Sequence, residues 1–177
     1  MRLKLLYISI LFCQFSVYSQ KAESFEVRTI AFYNVENLFD TINDPKTFDD
    51  DRTPQGKDHW NSERYHQKID NISKVISEIG SKTTQTSPDI IGLSEIENQQ
   101  VLEDLINHPN LRKMGYRIVH FESPDERGID VALLYKKAIF LPSTYKSQRL
   151  ILKKDDGERD YTRDQLVVGG FMDNEQF

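Results

Sequence analysis

Asp89-Ile90-Ile91-Gly92-Leu93-Ser94-Glu95 is the stretch on which the fold turns. Pro88 stands before it, and the apolar run Ile90–Leu93 is short, β-branched and uninterrupted by charge. That pattern predicts a strand buried on both faces, the kind found inside layered sheets. It ends on a carboxylate, and a carboxylate at the tip of a buried strand is costly unless something pairs with it. Upstream, Val27 to Tyr33 is β-branched and aromatic and predicts a first strand, with Asn34-Val35-Glu36-Asn37-Leu38-Phe39-Asp40 as the loop at its end. Residues 41–59 are acidic and aperiodic, which predicts a long surface loop. Asn61 or Ser62 then caps a helix running to about Ile79. Tyr65, Ile69, Ile72, Val75, Ile76 and Ile79 form its apolar face, and Gly80 stops it.

Downstream of Glu95, a shorter helix is expected from Asn98 to Asn107. Strands follow over Tyr116–Phe121, Val131–Lys136, Tyr145–Leu152 and Gln165–Phe171, with Lys153-Lys154-Asp155-Asp156-Gly157 turning between the last two. Strand, helix, strand, helix and then several strands fit a mixed α/β layer fold. Asp173-Asn174 reads as a hairpin turn with a strand just beginning at Glu175, so the domain is expected to be truncated at its carboxyl end.

The first nineteen residues have a different character. Arg2 and Lys4 precede the apolar run Leu5–Val17, and Val17-Tyr18-Ser19 offers a cleavage site before Gln20. This is the layout of a secretory signal peptide, too short for a comfortable membrane span. Export, to the periplasm or outside, is therefore expected, with the domain occupying 20–177 and no stable membrane anchor. Cys13 is the one cysteine among 177 residues, so cleavage would leave none and a cystine-stapled scaffold is excluded. The formal net charge is −5, and losing Arg2 and Lys4 makes the mature chain more acidic still. Nonspecific adhesion to nucleic acid or anionic lipid is disfavoured. A phosphoester substrate is not, because a bound cation inverts the local field of an acidic site. The length suits a single domain with its own core, expected to be monomeric, and nothing implies a protein partner.

Sites in open α/β sheets lie outside the carboxyl ends of strands. Asn34 and Glu36 occupy one such end and Glu95 another. A hard cation takes one or two protein carboxylates and fills its other positions with water and substrate oxygen, a task that suits Glu95 with Glu36 assisting. Asn34 can donate to a phosphate oxygen without adding charge. The plain alternatives are a turn asparagine and solvated glutamates. In Ser123-Pro124-Asp125-Glu126-Arg127-Gly128-Ile129-Asp130, Arg127 could grip a phosphate with its planar fork, or the segment could be a charged loop held by Arg–Asp pairs. Asp49-Asp50-Asp51 lacks the glycine and distal glutamate of a calcium loop and reads as solvated. His59, His66, His108 and His120 show no metal-binding spacing, and there is no nucleophile elbow or phosphate-binding glycine loop. Trp60 and Tyr65 read as packing residues.

Three segments resemble the endonuclease/exonuclease/phosphatase superfamily. They are Thr29-Ile30-Ala31-Phe32-Tyr33-Asn34-Val35-Glu36-Asn37, the Asp89–Glu95 run, and Gly128-Ile129-Asp130-Val131-Ala132-Leu133-Leu134-Tyr135, in the family's order. The resemblance implies a four-layer α/β/β/α sandwich of the deoxyribonuclease-I-like type, incomplete at its carboxyl end. It implies Glu95 as metal ligand with Glu36 near the metal, Asn34 at the scissile phosphate, and Arg127 and Asp130 bordering the substrate. Mg²⁺, or Mn²⁺ or Ca²⁺, would be the cofactor, and a phosphoester, nucleic acid above all, the substrate. Ser94 and Asp130 depart from the residues many members carry, which leaves the subfamily open. The family's Asn-His segment, Asp-x-Asn pair and terminal Asp-His pair are not found after Gly170. A chain without them is expected to turn over substrate poorly. Lipid or inositol phosphoesters, and a binding module that has lost its chemistry, are the alternatives.

Overall fold

The computed structural model describes residues 25–177, so the signal-peptide segment and Cys13 lie outside the described residues. Four strands form the first sheet: β1 (Ile30–Leu38), β2 (Ile90–Ile96), β3 (Tyr116–His120) and β4 (Asp130–Lys136), in the order β1-β2-β4-β3. β1 runs parallel to β2, β4 runs antiparallel to β2, and β3 runs antiparallel to β4. The Asp89–Glu95 run thus becomes an interior strand, and Ile90, Ile91 and Leu93 are all buried.

Helix α1 (Ser62–Glu78) and helix α3 (Gln99–Asn107) cover one face of that sheet, with a single turn, α2 (Ser81–Thr84), after α1. Each long helix starts at an asparagine that caps it: Asn61 Oδ1 accepts from Arg64 N, and Asn98 Oδ1 accepts from Val101 N, both at 3.1 Å. Tyr65, Ile69, Ile72 and Ile76 of α1 join Val101, Leu102 and Leu105 of α3 over Ile91, Leu93, Ala132 and Leu134. Val75, one of the expected apolar positions, is 40% exposed and lies at the margin of this face. Trp60 packs against the core as expected, and its Nε1 donates to Phe39 O at 3.0 Å.

The third layer is a sheet of β5 (Phe140–Gln148), β8 (Gln165–Met172) and β9 (Glu175–Gln176), ordered β5-β8-β9. Between the two sheets lies an apolar cavity of about 480 Å³, lined by Phe32, Ile90, Leu133, Phe140, Leu166 and Val168 among others. Gly92 makes room here, because a Cβ on it would stand 2.8 Å from the Phe32 ring. The fold is therefore the expected layered sandwich, with three of its four layers present among the described residues. No helix among the described residues is long and apolar enough to cross a membrane.

Several boundaries differ from expectation. β1 starts at Ile30 rather than Val27 and continues through Asn34–Leu38, which the sequence suggested as loop. Pairing with Ile96 extends it, since Leu38 finds a partner beyond a bulge. β5 spans Phe140–Gln148 rather than Tyr145–Leu152. The turn at Lys154–Gly157 closes a separate small hairpin, β6 (Leu152–Lys153) with β7 (Arg159–Asp160). The loop after β1 holds a 3₁₀ turn, Asp50–Arg52. Asp49 is buried in it, not solvated, with Oδ2 accepting from Asp44 N at 2.9 Å. A carboxylate that organises loop amides in this way cannot be told from a solvated one by composition.

Candidate active site

β1 and β2 keep a plain parallel register as far as Asn34 opposite Ser94, and then both strands distort. The next paired residues are Leu38 and Ile96, so Val35, Glu36 and Asn37 stand against Glu95 alone. Glu36, Asn37 and Glu95 all have left-handed backbones, with φ of 56°, 63° and 67°. None is glycine, so each carries a conformational cost, roughly 1–3 kcal/mol where the side chain is bulky. Glu95 is also the extra residue of β2 against β4, where Ser94 pairs with Val131 and Ile96 with Asp130. Bulges of this kind re-aim one side chain at a sheet edge. Here they bring the ends of β1 and β2 to one point.

At that point Asn34 Nδ2 donates to Glu95 Oε1 at 3.1 Å, and Glu36 N donates to Asn34 Oδ1 at 2.9 Å. The Glu95 side chain is 18% exposed, so it is sheltered but reachable. Two cations that sequence reasoning passed over complete the cluster. Arg163 Nη1 lies 3.7 Å from Glu95 Oε1. Lys68, on α1, donates from Nζ to Glu36 O at 3.1 Å. Burial holds the Lys68 ammonium below the usual lysine range, while the charges of Glu36 and Glu95 work in the opposite direction. Arg163 gave no local signal, since it sits in irregular chain just before β8. Lys68 did give one: it lies three residues after Tyr65 and four before Ile72, at the border of the buried face, where a long side chain reaches the strand ends.

The remaining predicted residues have partners of their own. Arg127 is held by Asp125 through two bonds, Nε to Oδ1 at 3.1 Å and Nη2 to Oδ2 at 3.0 Å. The Arg–Asp pair foreseen for this loop is present. Its guanidinium pKa is raised, chiefly by Asp125 and to a lesser degree by the charge of Glu95. Gly128, with φ +70°, allows the loop to lie against Thr47, to whose side chain a Cβ there would come within 2.9 Å. Asp130 is buried, with Oδ2 3.0 Å from His120 Nε2 and Oδ1 accepting from Ser123 N at 2.8 Å. Both its oxygens are engaged within the protein. It borders an acidic pocket of about 350 Å³ that also includes Asp40, Asp44, Glu97 and Glu122.

Among the described residues no three histidines, cysteines or carboxylates stand close enough to enclose a metal ion. Glu95 nonetheless suits Mg²⁺, which needs only one or two carboxylates and takes its other ligands from water and substrate, whereas Glu36 joins the cluster through its backbone N and O. Its donors are hard oxygens, and Asn34 and Arg163 both address Oε1 of Glu95. The Glu95 carboxylate thus meets the Asn34 amide and the Arg163 guanidinium, while Lys68 is held on the Glu36 carbonyl beside them.

The profile of the endonuclease/exonuclease/phosphatase family matches residues 29–177. No curated protein matches. Among solved structures, that of ANGEL2, a 2′,3′-cyclic phosphatase, aligns over 60% of this chain and 28% of its own, with 19% identity and a TM-score of 0.40.

Proposed function

Because the chain belongs to the endonuclease/exonuclease/phosphatase family, we propose that it serves a divalent-metal-dependent phosphodiesterase, a nuclease by preference, in which Glu95 holds the metal. The observation that carries this reading is the contact of Asn34 with Glu95 at 3.1 Å, formed where two bulged strands end together. Such strain is retained where the surrounding structure over-determines it, and it clusters at functional sites.

Each side chain then has a defined part. Asn34 can turn its amide donor from Glu95 to a non-bridging phosphate oxygen. Arg163 offers a charged fork to the same group and limits the freedom of the Glu95 carboxylate. Lys68 holds the Glu36 carbonyl and with it the curvature of the β1 end. A bound Mg²⁺ or Mn²⁺ would polarise the phosphoryl oxygen and offset developing negative charge. Fixed donors aimed at that charge are what such reactions demand. Nucleic acid is favoured over lipid because the groups that meet at the cluster, Asn34, Glu95, Arg163 and Lys68, are polar or charged. The apolar run Leu5–Val17 supports an exported enzyme.

Titrating Mn²⁺ into the protein by calorimetry tests the metal assignment. Glu95→Gln should abolish cation binding, and Asn34→Ala should retain it. In a version of the chain extended through the family's downstream motifs, activity on bis(p-nitrophenyl) phosphate should fall on the order of 10²–10³-fold in Asn34→Ala, the usual cost of removing one charge-stabilising donor. Undiminished Mn²⁺ affinity in Glu95→Gln would remove Glu95 from the metal site. Cleavage of sphingomyelin in preference to plasmid or RNA would replace the nuclease reading with a lipid one.

A further inference from the structure

Asp130 opens β4 and is buried, in a place where a carboxylate is expensive unless its oxygens are bonded. Both oxygens are bonded here. Oδ2 lies 3.0 Å from His120 Nε2, and each of the two side chains is 4% exposed. An ionised carboxylate only accepts, so the imidazole donates from Nε2. Oδ1 accepts from Ser123 N at 2.8 Å, and Ser123 Oγ donates to Ile129 O at 3.3 Å. One side chain therefore ties the last residue of β3 to the start of the following loop, and the neck of that loop closes beside Asp130 itself.

The register shows what this clasp holds. Val131 pairs with Ser94 and Asp130 with Ile96, so Glu95 is the residue left over between them. Its φ of 67° is a conformation that persists only where the surroundings over-determine it. On the β2 side the anchor is Ile96, which is fully buried. On the β4 side the facing residue is Asp130, fixed in turn by His120 and Ser123. The outer part of the loop is pinned independently, since Phe48 N donates to Glu126 O at 2.8 Å. Neither anchor can move without releasing the bulge that aims Glu95.

We propose that Asp130, through its bonds to His120 and Ser123, is a positioning residue that fixes β4 against the bulge of β2 and so sets the direction of the Glu95 carboxylate. This role rests on the reading of Glu95 as metal ligand. It moves Asp130 from the border of the substrate to a place behind the site, where it acts through Glu95 and touches neither metal nor substrate. A pair that served stability alone would leave the geometry at Glu95 unchanged when it was replaced by apolar residues.

Two variants of the full chain test this. His120→Gln keeps a side-chain donor for Asp130. The double variant Asp130→Ala/His120→Leu removes both partners together, which leaves no orphaned charge, so circular dichroism should be preserved. NMR of the ¹⁵N-labelled protein in EDTA reads the amides of Glu95 and Ile96, and calorimetry reads Mn²⁺ affinity. In the double variant both amides should shift, while those of Ile90 and Ile91 at the other end of β2 stay in place. Mn²⁺ affinity should fall on the order of 10–100-fold, the usual cost of removing a group that orients a metal ligand. His120→Gln should retain the wild-type amide positions and most of the Mn²⁺ affinity. Unmoved Glu95 and Ile96 amides in the double variant overturn the proposal, as does its unfolding, which would make the pair a support of the whole fold. Loss of Mn²⁺ affinity in His120→Gln also overturns it, because the bond to Asp130 would then not be what matters. The Mn²⁺ titration of Glu95→Gln is read separately. Its failure would remove the metal reading while the amide shifts in EDTA stand, whereas absent shifts remove the positioning role alone.

Discussion

Glu95 and Glu97 lie two residues apart yet experience opposite surroundings. Glu95 faces Asn34, Arg163 and, at longer range, Lys68. Glu97 faces other acids. Burial is the main force pushing its pKa up to about 8, and Asp40, Asp49 and Asp44 add to it against the single amide of Asp40. A carboxyl bound to its proton more tightly in the folded state than in the unfolded one stabilises the fold at low pH. That contribution is full below the unfolded value near 4.3, as in free glutamate, and is lost as pH rises toward about 8. The melting temperature should therefore fall between roughly pH 5 and pH 9, and Glu97→Gln should remove part of that fall. Thermal scans of both proteins at the two pH values check this. Equal pH dependence would show that Glu97 ionises normally. Sequence analysis assigned Glu97 no role, because nothing local indicates that Asp40, Asp44 and Asp49 gather around it.

At the scale of elements, helix starts and strand ends govern where the site lies. Asn98 closes β2 into α3, capping Val101 N while its Nδ2 donates to Asp40 Oδ2 at 3.0 Å. One residue thus ties the helix to the loop that follows β1. Asn98→Ala should cost about 1–2 kcal/mol, the upper part of the range for a lost N-cap, measured by urea denaturation. A cost near zero would mean that the cap bond contributes nothing. The caps and the apolar periodicity of α1 were legible because both depend on neighbours within one or two turns. The double bulge was not. It arises from how β1, β2 and β4 align, and the sequence Asn34–Leu38 read as loop for that reason.

Across the whole molecule, a buried ion pair anchors the sheet at the end opposite the candidate site. Lys136 Nζ, on β4, stands 3.2 Å from Asp89 Oδ1 and also donates to Thr86 Oγ1 and Ser87 O. Asp89 Oδ2 in turn accepts from Thr29 N at 3.1 Å, which brings in the start of β1. Both side chains are more than nine-tenths buried. Removing one partner leaves the other charged and unpaired, so Lys136→Met should destabilise by about 3–5 kcal/mol in urea unfolding. Adding Asp89→Leu should recover much of that, because a well-packed apolar pair often matches a buried ion pair. A double variant as unstable as the single one would locate the loss in packing.

What the sequence determined by itself is the set of elements and the chemistry they carry. A charge-free run ending in Glu95, a helix with its cap and stop, and a polar tip on the first strand are local patterns, set by hydrophobic periodicity and by the few residues that can cap or turn a chain. Tertiary structure alone decided which of these groups meet. Asn34 and Glu95 are sixty-one positions apart, and Arg163 and Lys68 reach the same point from an irregular segment and a helix flank. Asp130, adjacent in sequence to the loop of Arg127, instead closes on His120 inside the fold. Strand register and bulge geometry set these distances, and both result from packing that no single stretch of chain encodes.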